Sequence, residues 1–462
     1  MKKILLLNPP SDKMCVRDYY CSFSPKTKYC WPPQDLVTLS GIIGSSYKVE
    51  YLDPYALNLD FNKSLDVVWG GNYEAVVFTT GSLNLSADLE FLRRIKEGRP
   101  GIKLIGSSSL FHFIGTRIME ESPFIDGVLL DFTNSDILFF LSGGHSEIKN
   151  MIYRRHKEII FCRHENSGKS FSIPVPLHSL FGCRHYKLPF FVFKGRRFIT
   201  TISSLGCPHL CSFCVASKIE YRPRDLDNLM EELSYLHRNY GGGNIFFADC
   251  NFTVGAGRLK EFCSRMYAEH RGAFSWICNS RPEPLLNSDT LRSLKRSGCR
   301  MVMLGAESGD QRLLDKYDKG ISTSKIKEAV VNCRRNGIYT LLYFILGLPG
   351  EDKDSLRNTA DFIKGLGCDF ISISFAVPDF GTRLRDESLI NNLCRDELGG
   401  WDHSAGRYLS GGWAGGELER VRNMIYKKFY LNPAWMLRRA KDLAGLRFAD
   451  LNEGVRILRN WS

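Results

Sequence analysis

The sequence predicts an α/β protein with two successive arrays of alternating strands and helices and a helical C-terminal region. Short apolar runs alternate with amphipathic helical patterns in two separate stretches, which is typical of parallel sheets. The chain has 462 residues, enough for two or three domains. We expect the boundaries to be 1–144, 145–198, 199–378 and 379–462.

The first array, residues 1–144, is predicted to form a doubly wound, Rossmann-like sheet. Its helices should include Asp35–Ile43 and Ala87–Lys96, where apolar residues recur at helical spacing. The predicted strands are Ile4–Leu7, Lys48–Leu52, Ala75–Thr79, Lys103–Ile105 and Gly127–Leu130. Ligands bind beyond the carboxyl ends of the strands in such sheets. The candidate binding residues there are Pro9, Thr80, Ser82, Gly106 and Ser107.

The second array, residues 199–378, follows a stretch that we interpret as an irregular linker, residues 145–198. The linker carries mixed charge and several prolines, and we expect a hairpin around Ile159–Phe171. The six predicted strands of the second array are Ile199–Ser203, Ile245–Phe247, Phe274–Ile277, Met301–Leu304, Leu341–Leu346 and Ile371–Phe375. Six β/α units predict a partial (β/α)6, TIM-like barrel with its chemistry at the carboxyl ends of the strands.

Residues 379–462 form the predicted helical C-terminal region. Val421, Ile425 and Phe429 mark one amphipathic face that could cover the open side of the barrel. The net charge of +12 fits a solvated basic surface or an anionic cofactor or substrate. We see no nucleic-acid motif, no transmembrane segment and no signal peptide, and therefore expect a cytoplasmic protein.

Three clustered cysteines carry the strongest chemical signal. Of fifteen cysteines, Cys207, Cys211 and Cys214 share the spacing Cys-x3-Cys-x2-Cys directly after the first strand of the second array. Three thiolates can hold three irons of a 4Fe–4S cube and leave the fourth iron open. An open iron is what a cluster needs if it is to bind a substrate rather than only carry electrons.

Two other interpretations of these cysteines remain open at this point. One is a zinc site completed by His209 or a distant cysteine, although zinc sites usually show two Cys-x2-Cys pairs or a Cys–His pair. The other is a set of structural cysteines without a metal. The spacing, the aromatic Phe213 and the position after a strand favour the cluster.

This motif resembles the radical SAM superfamily, whose members reductively cleave S-adenosylmethionine (SAM) at a 4Fe–4S cluster. The resemblance implies that Cys207, Cys211 and Cys214 are the cluster ligands and that Phe213 packs near the adenine. It also implies SAM contacts at the ends of the later strands. The candidates are Asp249, Asn279, Arg281, Glu307, Ser308 and Gly347. From the sequence alone, Asp249 could instead be a helix cap and Glu307 an ion-pair partner.

The N-terminal array resembles the cobalamin-binding branch of that superfamily. The similarity rests on Asn8-Pro9-Pro10 and Trp31-Pro32-Pro33 in this array. Later in the chain, Phe380-Gly381-Thr382 and Phe429-Tyr430-Leu431-Asn432-Pro433 also fit that branch. The similarity implies that the Rossmann-like domain holds cobalamin, with contacts at the strand ends named above. The Asp-x-His-x-x-Gly motif of some cobalamin proteins is missing, and Gly106-Ser107-Ser108 replaces the paired glycines often found at that turn.

The resemblance implies a radical SAM methyltransferase that uses cobalamin to methylate an unactivated carbon. A cyclase or rearrangement enzyme on the same scaffold is the alternative, and a non-catalytic cobalamin or redox sensor is a third. The expected partners are a small-molecule, lipid or peptide substrate and a reductase or a flavodoxin- or ferredoxin-type electron donor. The sequence does not specify the substrate.

Overall fold

Two main sheets organise the chain in the computed structural model, which describes residues 2–25, 29–164, 169–182, 186, 197–405, 413 and 416–444. The strands are β1 Lys3–Leu7, β2 Val16–Arg17, β3 Ser22–Phe23, β4 Lys48–Leu52, β5 Tyr73–Thr79, β6 Lys103–Ser107, β7 Gly127–Leu129, β8 Met151–Arg155, β9 Glu158–Cys162, β10 Phe198–Thr201, β11 Ser204–Leu205, β12 Arg222–Pro223, β13 Gly243–Phe247, β14 Phe274–Ser280, β15 Cys299–Glu307, β16 Tyr339–Leu346 and β17 Phe370–Phe375.

The α-helices lie mostly between these strands. They are α1 Gln34–Gly44, α2 Phe61–Gly70, α3 Leu85–Gly98, α4 Phe111–Glu121, α5 Asp136–Ser142, α6 Leu226–Tyr240, α7 Ala256–His270, α8 Ser288–Arg296, α9 Gln311–Lys316, α10 Thr323–Arg335, α11 Lys353–Leu366, α12 Arg383–Ile390, α13 Glu417–Tyr430 and α14 Pro433–Ala444. None of the helices in the described part of the chain is long and apolar enough to cross a lipid bilayer.

The N-terminal sheet has the strand order β4-β1-β5-β6-β7-β8-β9, and its first five strands are parallel. Alternate residues of β1 enter different apolar clusters: Ile4 packs with α1, whereas Leu5 packs with α3. Successive side chains of a strand point to opposite faces of the sheet, so both faces carry apolar residues that must be covered. Helices cover both faces here. The predicted α/β class is confirmed, although the sequence analysis missed α2 and α4.

The hairpin predicted around Ile159–Phe171 was wrong in position. Strands β8 and β9 form an antiparallel hairpin, and β8 adds to the edge of the N-terminal sheet beside β7. The turn contains His156 at a φ of 55°, a left-handed conformation that histidine adopts without a glycine signal in the sequence. The predicted domain boundaries stay predictions.

The second sheet has six parallel strands in the sequential order β10-β13-β14-β15-β16-β17. All six predicted strands are therefore present, most of them longer than the apolar run that predicted them. The sheet is open, because β10 and β17 lie at its two ends. Their carboxyl ends lie on one side, where the loops carry the candidate residues.

Helix α13 covers the free edge of β17. The Tyr426 hydroxyl accepts a hydrogen bond from the backbone N–H of Ile373 at 2.8 Å, and the Tyr430 hydroxyl contacts Ile371 N and O, each at 3.3 Å. Side chains thus satisfy backbone groups that a further strand would otherwise pair. The predicted C-terminal helices cover this side of the sheet; residues 445–462 of that region lie outside the described residues.

The two sheets share apolar packing. A single cluster contains Leu36 and Leu39 of α1 together with Ile277, Met301 and Leu341 from the concave side of the second sheet. Burial of this apolar surface stabilises the relative position of the two arrays. It also brings the loop between β1 and α1 close to the carboxyl ends of the second sheet.

Candidate functional site

The cysteine loop follows the short ribbon strand β11. Gly206 precedes Cys207 and has a φ of 72°. A Cβ on this residue would lie 2.3 Å from the carbonyl oxygen of Glu220, so only glycine fits. The loop then turns back on itself, since the N–H of Cys214 donates to the carbonyl of Cys211 at 3.1 Å.

Ser212 ties this loop to two other segments of the barrel. Its N–H donates to the carbonyl of Tyr317, and its carbonyl accepts from the N–H of Leu384, each at 3.1 Å. Its hydroxyl donates to Asp318 at 2.5 Å. Buried backbone groups of an irregular loop need such partners, and these contacts hold the loop between the segment that follows α9 and the first turn of α12.

The three thiols of the loop are free, with Cys211 buried and Cys207 and Cys214 partly exposed. Burial raises the pKa of Cys214 to about 12, and the neighbouring Cys211 and Cys207 add to the rise. Thiolates that repel one another in this way favour a bound cation. Among the described residues, no group of three His, Cys, Asp or Glu side chains is arranged so that it could hold a metal ion. These thiols must therefore reorient to bind iron.

Asp249 lies two residues beyond β13 and is buried. Its carboxylate accepts hydrogen bonds from the N–H of Ser203 at 3.0 Å, the Ser203 hydroxyl at 2.9 Å and the Ser204 hydroxyl at 2.5 Å. Burial raises its pKa, although these hydrogen bonds oppose the rise. Asp249 is therefore not a helix cap; it anchors the segment that leads into the cysteine loop.

The predicted residues at the ends of β14 and β15 lie on the same side of the sheet. The side-chain amide of Asn279 donates to the carbonyl of Asp249 at 2.8 Å. Arg281 donates to the carbonyl of Lys319 at 2.7 Å and to Glu283 at 2.9 Å. The side chain of Arg281 is largely buried, with 10% exposed, so its cationic charge is held near the cysteine loop.

Glu307 and Lys319 form a buried ion pair, with Oε1 of Glu307 2.6 Å from Nζ of Lys319. Burial lowers the pKa of Lys319, but Glu307 and Cys211 outweigh this and raise it. Glu307 has a φ of 62°, unusual for a residue with a side chain. Sequence analysis missed Lys319, because Asp318-Lys319-Gly320 reads as an ordinary solvated turn.

The remaining predicted SAM residues lie around this pair. The Phe213 ring packs edge-on against Tyr317, with ring centroids 6.3 Å apart, and Lys319 Nζ lies 5.9 Å from the Phe213 ring centroid. Ser308 is buried, and its hydroxyl accepts from the N–H of Asp310 at 3.0 Å. The N–H of Gly347 donates to Glu351 at 2.5 Å.

The predicted cobalamin-binding residues of the N-terminal sheet also lie at its carboxyl edge, but most of them contact other residues of the protein. The Thr80 hydroxyl donates to Asp88, and the Ser82 hydroxyl contacts the carbonyl of Trp401. The space at Gly106 is filled by aromatic side chains. Pro9 and Ser107 are buried, and the Ser107 hydroxyl faces the carboxyl group of Asp35.

A buried ion pair covers part of this edge. The Arg17 guanidinium, from the loop between β1 and α1, binds both carboxylate oxygens of Asp88 at 3.1 and 2.6 Å, and also donates to Asn8. Desolvation of such a pair is compensated only by this complete set of hydrogen bonds. Sequence analysis did not find this pair, because neither Arg17 nor Asp88 belongs to a recognisable motif.

A narrow crevice, with a cavity volume of about 10 Å³, lies between the two halves of the site. On the N-terminal side, the crevice is lined by the β1–α1 loop and by the residues that follow strands β5 and β6. On the other side, it is lined by the residue after Cys214 and by the segment after β17. Representative lining residues are Asp18, Cys21, Ser82, Ser108, Val215 and Asp379. The carboxyl edge of the N-terminal sheet and the cysteine loop therefore face one shared space.

Comparisons with known proteins agree with this arrangement. Residues 201–363 match the sequence profile of the radical SAM superfamily. A protein named as an uncharacterized methyltransferase from Pyrococcus horikoshii is 27% identical over 401 residues, which cover 85% of this chain and 84% of that protein. The anaerobic magnesium-protoporphyrin IX monomethyl ester cyclase of Cereibacter sphaeroides is 24% identical over 454 residues, 92% of this chain and 72% of the cyclase.

A solved structure shares the fold over most of the chain. The radical SAM methyltransferase TsrM from Kitasatospora setae, solved with cobalamin and a 4Fe–4S cluster bound, superposes with a TM-score of 0.66 and 18% sequence identity. The match covers 85% of this chain and 78% of TsrM. The superfamily uses a 4Fe–4S cluster and SAM and needs an electron donor. The cysteine loop lies at the carboxyl side of the six-stranded parallel sheet, and we conclude that residues 201–363 form a radical SAM domain.

Proposed function

We propose that this protein is a cobalamin-dependent radical SAM methyltransferase that methylates an unactivated carbon of its substrate. The observation that carries the proposal is the shared crevice, which is lined both by strand ends of the N-terminal sheet and by Val215 beside Cys214. Methyl transfer needs the methyl carrier and the radical source to face the same substrate. The names of the Pyrococcus relative and of TsrM support the same class of reaction.

Cys207, Cys211 and Cys214 would hold the cluster, since they are three free thiols on one clamped loop. When bound, the cluster supplies the electron that cleaves SAM into methionine and a 5′-deoxyadenosyl radical. Glu307 and Lys319 would present a carboxylate and an ammonium group to the amino-acid part of SAM. Phe213 would shield the site from water.

The cationic groups around the loop have a second role in this proposal. Arg281 and Lys319 are both largely buried and contribute favourable electrostatic interactions with Cys207, while Lys319 also interacts with Cys211. Positive charges next to thiolates stabilise the deprotonated ligands. They would therefore help the loop to retain a cluster while SAM enters and leaves.

Cobalamin would bind at the carboxyl edge of the N-terminal sheet, where it supplies a methyl group when loaded. The fit rests on the crevice, which Ser82, Ser108 and Ser109 line with polar side chains at this edge. Pro9, Thr80, Ser82 and Gly106 lie at the same edge. Because the crevice has a cavity volume of only about 10 Å³, far below the roughly 300–1,000 Å³ of ordinary small-molecule sites, we expect the β1–α1 loop to move outward on binding.

The test is anaerobic purification with iron, sulfide and cobalamin analysis, followed by incubation with SAM and a reductant such as reduced flavodoxin. We expect 5′-deoxyadenosine together with S-adenosylhomocysteine, and label from methyl-labelled SAM in the bound cobalamin. Deoxyadenosine without S-adenosylhomocysteine or label transfer would contradict methyl transfer and favour a cyclase or rearrangement enzyme. An iron-free protein after reconstitution would contradict the cluster assignment as well.

A further inference from the structure

Two adjacent tyrosines of the β1–α1 loop reach opposite sides of the crevice. The Tyr19 hydroxyl lies 3.1 Å from Nε2 of His112, and the Tyr19 carbonyl accepts from the N–H of Ser109 at 3.1 Å. Tyr19 is thus fastened to the N-terminal sheet. The Tyr20 ring packs edge-on against it, with ring centroids 5.1 Å apart, but its hydroxyl points to the other half of the site.

The Tyr20 hydroxyl accepts a hydrogen bond from the N–H of Gly206 at 2.7 Å. Gly206 directly precedes Cys207 and is held at a positive φ, where the carbonyl of Glu220 leaves no room for a side chain. The backbone conformation at the entrance of the cysteine loop therefore depends on this N–H having a partner.

Cys250 lies on the other side of the Tyr20 hydroxyl. The thiol of Cys250 lies within hydrogen-bonding reach of this hydroxyl, which can donate its proton there while it accepts from Gly206. Cys250 follows Asp249, the residue that anchors Ser203 and Ser204. One side chain thus connects the N-terminal loop with two segments that position the cysteines.

We propose that Tyr20 is a positioning residue that couples the crevice to the cluster loop through its hydrogen bond with Gly206. Tyr19 and Tyr20 both line the crevice, so a ligand that moves the β1–α1 loop also moves the partner of the Gly206 N–H. Occupation of the crevice would thereby change the geometry of the cluster and its readiness to cleave SAM. The inference rests on the cluster assignment in the proposed function, but not on methyl transfer.

The test compares Tyr20→Phe with Tyr19→Phe in the reconstituted, cluster-loaded chain. Tyr20→Phe keeps the ring and removes the partner of the Gly206 N–H, whereas Tyr19→Phe removes a hydroxyl that contacts only the N-terminal sheet. We expect both variants to keep their iron. Tyr20→Phe should alter the electron paramagnetic resonance spectrum of the reduced cluster with SAM and lower the rate of 5′-deoxyadenosine formation about tenfold.

Hydrogen exchange supplies a readout that is independent of catalysis. In Tyr20→Phe the peptide containing Gly206 should exchange at least about tenfold faster, because its N–H loses its partner. The peptide containing Leu384, whose N–H is bonded to Ser212, should not change. This comparison also identifies a variant that has simply lost its fold, since both peptides would then exchange faster.

Three results would overturn the inference. One is a Tyr20→Phe protein with wild-type spectrum, rate and exchange, and another is an equal effect of Tyr19→Phe. A globally unfolded Tyr20→Phe protein would show that the residue is structural. If the wild type binds iron and cleaves SAM but Tyr20→Phe has no effect, only this inference is refuted. If the wild type holds no iron, the cluster assignment and this inference are refuted together.

Discussion

Nζ of Lys319 lies 2.6 Å from Oε1 of Glu307, and both side chains are about nine-tenths buried beside the cysteine loop. Glu307 ends strand β15, whereas Lys319 follows helix α9. A buried pair of this kind is costly to desolvate, so each charge depends on the other. In the proposed function, this anion and this cation would face the ammonium and carboxylate groups of SAM.

We predict that Lys319→Met lowers the free energy of unfolding by about 3–5 kcal/mol, because it leaves the Glu307 carboxylate buried without a partner. Adding Glu307→Gln should restore much of the loss. Urea denaturation of both single variants and the double variant checks this. Strictly additive effects would show that the two residues do not interact energetically.

Cys211→Ala should abolish both the visible absorbance of the cluster and all SAM cleavage, because three thiolates are needed to hold the cube. Cys162→Ala is the matched control, since Cys162 lies on the edge strand β9, away from the loop. Iron analysis and deoxyadenosine assays distinguish the two variants. Retained cleavage in Cys211→Ala would refute the assignment of the loop.

Asp249→Asn tests which role Asp249 has. The carboxylate accepts hydrogen bonds from Ser203 and Ser204, and an amide cannot accept all of them. We therefore expect reduced iron retention and a lower melting temperature, in addition to any effect on the KM for SAM. If only KM rises, with iron content and melting temperature unchanged, Asp249 contacts SAM without supporting the loop.

Glu351 makes stability depend on pH. Burial raises its pKa to about 8 in the native state, while the unfolded chain titrates near 4.5. Between these values the unfolded state has lost the proton and the native state retains it, so this group's contribution to stability declines as pH rises.

Glu351→Gln should remove this dependence and keep an acceptor for the N–H of Gly347. The variant and the wild type should be similarly stable at pH 4.5, with the variant more stable at pH 9 by on the order of 5 kcal/mol. Denaturation at both pH values measures the difference. A constant difference between the two proteins would show that Glu351 does not titrate as proposed.

Local patterns predicted most of the fold. Each strand of the second sheet contains an apolar run that is visible in the sequence, and the helix beginning after Asp225 carries both its cap and its periodicity. The hairpin of β8 and β9 was misplaced because His156 occupies a conformation that turn propensities assign to glycine or asparagine. Helix α4 was missed because its apolar residues are not separated from the strand before it by a clear cap.

The sequence by itself determined the motif that predicts the chemistry of this protein: three cysteines at a cluster spacing, on a loop at the start of a β/α array. Such a motif is local, so its donor set can be read from consecutive residues. Only the tertiary structure decided that Lys319 pairs with Glu307 and that Tyr20 holds Gly206. These contacts join segments far apart in the chain, and packing between two sheets brings them together, which no local pattern records.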